Sequence, residues 1–275
     1  MKKISFKTFI LIGLMLITFF LIACSANNQL ARMSSEDKWK NAENYFNRGK
    51  YNRAIPYYQQ LVLKRRSIFV AEAQFKLAEC FFRRGDRESL LEAIFEYQEF
   101  LRLFADHRLA SEAQYNIALS YKLLSLSPHF TQEETHRAID LFNRFIERHP
   151  FDDRVDEARK SIADLEYKLI EKIYLNGYIY FKMRDYPAAE LYLNEIIQLG
   201  NADKLEKLSM YYIALIHIDR REDAAAYTAL QHLKTHFPND RETKIIENRY
   251  NRINARIFKM NYFQVIMYAL LGSGD

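Results

Sequence analysis

A small residue recurs twice in each of five segments of this chain, and large apolar residues follow it at fixed intervals. Ala42, Ala78, Ala118, Gly177 and Ala214 are followed three residues on by Tyr45, Phe81, Tyr121, Tyr180 and His217. Ala54, Ala93, Ala138, Ala189 and Ala226 are followed four on by Tyr58, Tyr97, Phe142, Leu193 and Leu230, and seven on by Leu61, Phe100, Phe145, Ile196 and Leu233. Spacings of three, four and seven lie on one face of a helix. A small residue on that face lets a second helix come close, and the large ones fill the space beside it. Each segment therefore predicts two antiparallel helices that bury their apolar faces by stacking on the next pair. Composition agrees: 49% of the 275 residues are apolar, with only 7 Gly and 5 Pro, unlike a loop-rich β protein or a disordered chain. With 19 Tyr and 20 Phe, aromatic packing is a main theme.

The stretch "AENYFNRGKYNRAIPYYQQLV" (42–62) shows the unit whole and resembles the tetratricopeptide repeat. Pro150 and Pro238 close two of the repeats. The units are not uniform. Extra residues stand around Arg87 to Glu92, and a longer loop, "LSLSPHFTQEET" (124–135), divides the third. Val155, Ala158, Ile162, Leu165, Leu169, Ile173 and Asn176 keep helical spacing with no breaker, so Asp153 to Met183 predicts one long helix joining three repeats to a final two. The expected fold is an all-α solenoid of about five repeats. Its parts are 36–152 (repeats one to three), 153–250 (long helix and repeats four and five) and 251–275 (a capping helix and tail). The apolar stretch in that tail is too short to span a membrane; it reads as a lid on the last repeat or a partner-binding helix.

The start of the chain has its own logic. Lys2, Lys3 and Lys7 precede an apolar run from Phe9 to Ile22, and Leu21-Ile22-Ala23-Cys24 follows. This order matches a secretory signal. The last four residues resemble the bacterial lipobox, which implies cleavage before Cys24 and acylation of its thiol and new amino terminus. Several acyl chains anchor stably where one is marginal. The alternative is an uncleaved helix, although Lys7 interrupts a run barely long enough to span. Residues 1–23 then form the signal and 24–35 a lipidated tether. Ser25, where Asp would retain an enterobacterial lipoprotein at the inner membrane, favours the outer membrane. Formal net charge is +5, and without residues 1–23 it is +2. The chain gives no nucleic-acid signal, and Lys64-Arg65-Arg66 reads as a solvated helix end. With Cys24 modified, Cys80 is left single among Leu77, Ala78, Phe81 and Phe82, as a small buried apolar residue.

In each repeat the residue three before the first small position is aromatic: Trp39, Phe75, Tyr115, Tyr174 and Tyr211. Four after it stand Phe46, Phe82, Lys122, Phe181 and Ile218. The two lie on one side of their helix. They form either an aromatic ladder lining a peptide groove or further packing against neighbouring repeats. For Trp39, Phe46, Phe75 and Phe82, where repeats have fewer neighbours, the groove reading is favoured. Glu36, Glu72, Glu112 and Glu171, six before the small residue, suit helix N-termini. No catalytic set emerges. His232 and His236 stand one turn apart, but Leu233 occupies the place of a metalloprotease's Glu. There is no Gly-rich phosphate loop and no nucleophile signature. No catalytic residue, metal or cofactor is expected beyond lipid on Cys24.

Lipobox, short tether, five repeats and a long helix after the third together resemble the BamD (YfiO) family, lipoproteins of the outer-membrane β-barrel assembly machinery. The resemblance covers the chain after the signal to about residue 250. It is carried by "AENYFNRGKYNRAIPYYQQLV", "AEAQFKLAECFFRRGD", "YQEFLRLFADH", "ALQHLKTHFPND" and, most specifically, "AIDLFNRFIERHPFDDRVDEARKSIADLEYKLIEKIYLNGYIYFKMRDYPAAE". It implies a non-enzymatic scaffold, anchored in the outer membrane and facing the periplasm. Repeats over residues 36–105 would receive unfolded outer-membrane proteins through a C-terminal β-signal. Residues of roughly 170–250, with Tyr174, Phe181 and Tyr211 as a candidate partner face, would dock on the POTRA domains of a BamA-type barrel protein, with other assembly lipoproteins as further candidate partners. The chain departs from the family at Phe104-Ala105-Asp106-His107-Arg108, where Asn-Pro and His-Pro turns are common. A pilotin-like secretin assembly factor is the alternative, though such proteins usually keep a uniform repeat train.

Overall fold

The computed structural model describes residues 30–200 and 204–270, so the signal segment and Cys24 lie outside the described residues. The elements are all helices: α1 Ser35–Asn47, α2 Tyr51–Val62, α3 Val70–Arg84, α4 Arg87–Leu103, α5 Ala110–Leu124, α6 Glu133–Arg148, α7 Val155–Met183, α8 Tyr186–Leu199, α9 Lys204–Arg220, α10 Asp223–His236 and α11 Arg241–Leu270. They divide into two compact units. One runs to Ser125 and resumes over Glu133–Leu165; the other comprises Leu126–Gln132 and the chain from Glu166.

In the first unit α1/α2, α3/α4 and α5/α6 form three antiparallel pairs, each packed on the next. The repeat's small residues lie in the core: Ala42, Ala54, Ala78, Ala93, Ala118 and Ala138 are fully buried. Tyr58, Leu61, Tyr97, Phe100, Phe142 and Phe145 fill the core beside them. Polar side chains brace the stack from within. Buried Gln74 on α3 donates to the carbonyl of Glu96 on α4, and Asn116 on α5 donates to the Tyr97 hydroxyl. The extra residues around Arg87 to Glu92 are helical. They are the first turns of α4, which Asp86 caps by accepting from the Ser89 N–H.

The second unit repeats the scheme. Ala189, Ala214 and Ala226 are buried at the contacts of α8, α9 and α10, with Leu193, Ile196, Leu230 and Leu233. The opening of α11 closes this core, burying Ile246 and packing Tyr250 and Ile253 against it. Terminal repeats need such a cap; the side chains of the apolar tail, expected as a lid or a partner-binding helix, lie outside those described from residue 264 on. Helix α11 starts at Arg241 and runs through residue 250 without a break, so the boundary expected there is not a structural one.

Helix α7 has 29 residues, close to the length expected from sequence. Compactness divides the chain inside this helix, after Leu165, rather than at residue 152. The third repeat's long loop stays irregular and is fastened at both ends. Gln132 donates to the carbonyls of Ser127 and Phe130, and Lys172 on α7 donates to those of Pro128 and Phe130. Turns into the second helix of a repeat use a left-handed residue two positions before it: Gly49, Gly85, Arg184 and Arg221. Glycine takes that conformation without strain, and the two arginines cannot.

Candidate protein-interaction faces

The aromatic positions three before and four after each small residue divide into three kinds of environment. Phe75 is 2% exposed and meets Tyr97 and Phe100 edge-on, at centroid distances of 5.5 Å each. Tyr115 repeats this arrangement with Phe142 and Phe145. Phe46 is 9% exposed, and Lys76 Nζ lies 4.3 Å from its ring centre with the Arg83 guanidinium at 5.6 Å. The groove expectation is therefore corrected at Phe46 and Phe75. Each ring already has protein on it, because the partner helix supplies a large residue at the same level. Trp39 and Phe82 are half-buried; Trp39 stacks on Phe69 at 5.2 Å.

The surface over Phe46 is charged. Glu79 holds Lys76 at 2.7 Å and Arg83 through a two-nitrogen fork on one oxygen. The cations are thus held above the ring they cover, a cation–π arrangement. The glutamates six before the small residue also do more than sit at helix starts. Glu72 on α3 faces His107 and Arg108, and Glu112 on α5 faces Arg154, each contact between 3.5 and 3.6 Å. They tie the first helix of a repeat to the turn that ends it.

In the second unit the sequence-derived residues come together. Tyr174, Phe181 and Tyr211 are half-buried and share one neighbour, Tyr212, at centroid distances of 6.4, 4.8 and 5.2 Å. Tyr178 joins it at 5.2 Å. Burial raises the hydroxyl pKa of Tyr174 and of Tyr212 above the usual phenol range. The cluster combines apolar faces with hydroxyl tips, as interface hot spots do. Tyr212 and Tyr178 escaped the repeat template because neither occupies a template position. Their aromatic neighbours at one or four residues' distance were the available signal.

A third feature lies on the same unit. Asn194, Ile197, Met210, Ile213, His217, Ala225, Thr228, Ala229 and His232 line a cavity of about 370 Å³. At its edge His217 Nδ1 is 2.7 Å from a Glu222 carboxylate oxygen and 3.6 Å from one of Glu190. This trio has the donor types of a metal centre. Arg220 already contacts both carboxylates, at 3.3 and 2.9 Å, which makes the group an ion-pair network. His232 and His236 neighbour each other at 6.2 Å between ring centres. Among the described residues no helix is long and apolar enough to cross a membrane.

Two family models described as tetratricopeptide repeat match the chain, one over residues 40–89 and the other over residues 72–107 and 112–152. No curated protein matches it. Among solved structures, the TPR2AB domain of yeast Sti1 in a complex with an HSP90 peptide is similar at 15% identity, with 82% of this chain and 86% of that one covered and a TM-score of 0.43. The TPR domain of P58(IPK) is similar at 14% identity, covering 80% and 56%, with a TM-score of 0.40. A tetratricopeptide repeat protein from Parabacteroides merdae is similar at 16% identity, covering 83% and 79%, with a TM-score of 0.34. The helix pairs, their small-residue contacts and the matched repeats together make this a tetratricopeptide-repeat helical solenoid, a protein-interaction scaffold.

Proposed function

We propose that the chain is a lipid-anchored scaffold of the outer-membrane β-barrel assembly machinery, of the BamD type. The observation that carries this reading is α7. A generic repeat train has no need of an uninterrupted 29-residue helix between its third and fourth helix pairs, whereas this family resemblance includes one. The signal-like start and Cys24 support an anchor in the outer membrane, with the repeats facing the periplasm. In this reading the first unit receives unfolded barrel proteins, with Trp39 and Phe82 the half-buried aromatics left for contact. The Tyr212 cluster docks on POTRA domains of the barrel subunit. The protein is a non-catalytic adaptor, and its only covalent group is lipid on Cys24.

The test is purification of the tagged chain from detergent-solubilised membranes, followed by identification of what accompanies it. A barrel protein with POTRA domains is the expected companion. Recovery of a secretin without that barrel would replace this reading with a pilotin-like one.

A further inference from the structure

The turn between α2 and α3 carries an unusual combination. Leu63 and Ile68 are 73% and 83% exposed, and the residues between them include exposed Lys64, Arg65 and Arg66. Helix α2 ends at Val62, so these cations stand on the turn itself, not on the helix end that the sequence suggested. No acidic residue occurs between Glu43 and Glu72. Among the described residues the three cations enter no ion pair. Glu36 and Asp37, at the start of α1, form no salt bridge with them.

Position adds a second, independent observation. Ser35, at the start of α1, lines one open recess with Lys64, Arg65, Arg66 and Ser67. The chain just before it is held down: buried Lys38 donates to the Ala31 carbonyl at 3.2 Å. Residues 31–35 are thus part of the folded repeat, and the tether is shorter than residues 24–35. Ala31 lies seven Cα–Cα steps beyond Cys24. Fully extended they span at most about 25 Å. A lipid on Cys24 would hold this turn close to the bilayer.

We propose that the Leu63–Ile68 turn is a membrane-contact surface, its three cations engaging anionic lipid headgroups while Leu63 and Ile68 enter the interface. This rests on the lipid-anchor reading above. Cations near an anionic surface bind headgroups, and exposed apolar side chains add burial at the acyl boundary. A solvated basic turn does not require two flanking aliphatics held in water. The contact would fix how the first repeat stands on the membrane, which the tether alone leaves free.

Vesicle flotation of the chain from Ser25 onward, which contains every described residue and no acylated cysteine, tests this. Phosphatidylcholine vesicles carrying one part in three phosphatidylglycerol should bind it at low salt, and pure phosphatidylcholine vesicles should not. Replacing the cations together, K64Q/R65Q/R66Q, should weaken binding on the order of a hundredfold, at about fivefold per charge. L63S/I68S should weaken it as well, with both variants melting like the parent. Equal flotation of the parent on both vesicles, or undiminished binding by the cation variant, overturns the proposal. So does binding to an acidic polypeptide or DNA without vesicle binding. Mass spectrometry of Cys24 in the full chain separates the two readings. An unmodified Cys24 with vesicle binding intact strikes the anchor, while an acylated Cys24 without turn-dependent binding strikes the turn alone.

Discussion

Gly177 on α7 faces Leu193 on α8 so closely that a Cβ there would lie 2.9 Å from the Leu193 Cγ, and 3.3 Å from the Cβ of Tyr192. The other four repeats carry alanine at this position. Leu193 is fully buried and has little room to yield. Overpacking of this kind costs about 1–3 kcal/mol, and alanine's better helix propensity returns about 1. Gly177→Ala should therefore lower stability by about 1 kcal/mol in urea unfolding. Adding Leu193→Ala should cost less in the G177A background than in the parent, since the first change then fills part of the second's cavity.

Phe75 separates packing from binding. Its ring sits between Tyr97 and Phe100 in the first unit's core. Phe75→Ala should cost about 3–5 kcal/mol, as for other buried aromatics. Where the variant is still folded, capture of an unfolded barrel C-terminal peptide should match the parent, measured by fluorescence anisotropy. Phe82→Ala, from a half-buried position, should cost less stability.

Asp152 gives a pH signature. Its carboxylate accepts from the side chain and the backbone N–H of Arg154, and these bonds hold its pKa well below the usual carboxylate range. The folded state therefore binds this proton more weakly than the unfolded state does. Its contribution is fully present above the unfolded pKa of about 3.9 and is lost as pH falls towards the lowered folded value. Asp152→Asn should cost about 1.5–3 kcal/mol at neutral pH. The gap between parent and variant should narrow below about pH 4 in urea titrations.

Cys80 should be inert while the protein is folded. It is fully buried, and burial pushes its thiol up to about 12. A thiolate is the reactive form. A maleimide should label it only as fast as the first unit opens, and at once in denaturant. Fast labelling of native protein at pH 7 would contradict this placement.

The sequence was most informative where one residue type had one possible role. A small residue at a helix crossing must be small, so Ala42, Ala54, Ala78 and the rest marked the core without knowledge of neighbours. Exposure could not be read the same way. The positions of Phe46 and Trp39 follow one template, yet Lys76 and Arg83 from the next repeat cover the first ring, and Phe69 stacks on the second. Tyr212 was hidden for the complementary reason. Its importance lies in contacts to α7, made across helices distant in sequence, and no spacing within α9 reveals them. The exposed turn at Leu63 to Ile68 likewise emerged only from where α2 ends.

The most direct measurement of the central claim is photo-crosslinking in growing cells, with the reactive group placed at Tyr174, Phe181 or Tyr211 in turn. The account predicts a crosslink from this cluster to the periplasmic POTRA domains of a β-barrel assembly protein, and its loss when Tyr212→Ala is added to folded protein. Crosslinks to a secretin from these positions, with none to a POTRA-bearing barrel, would contradict it.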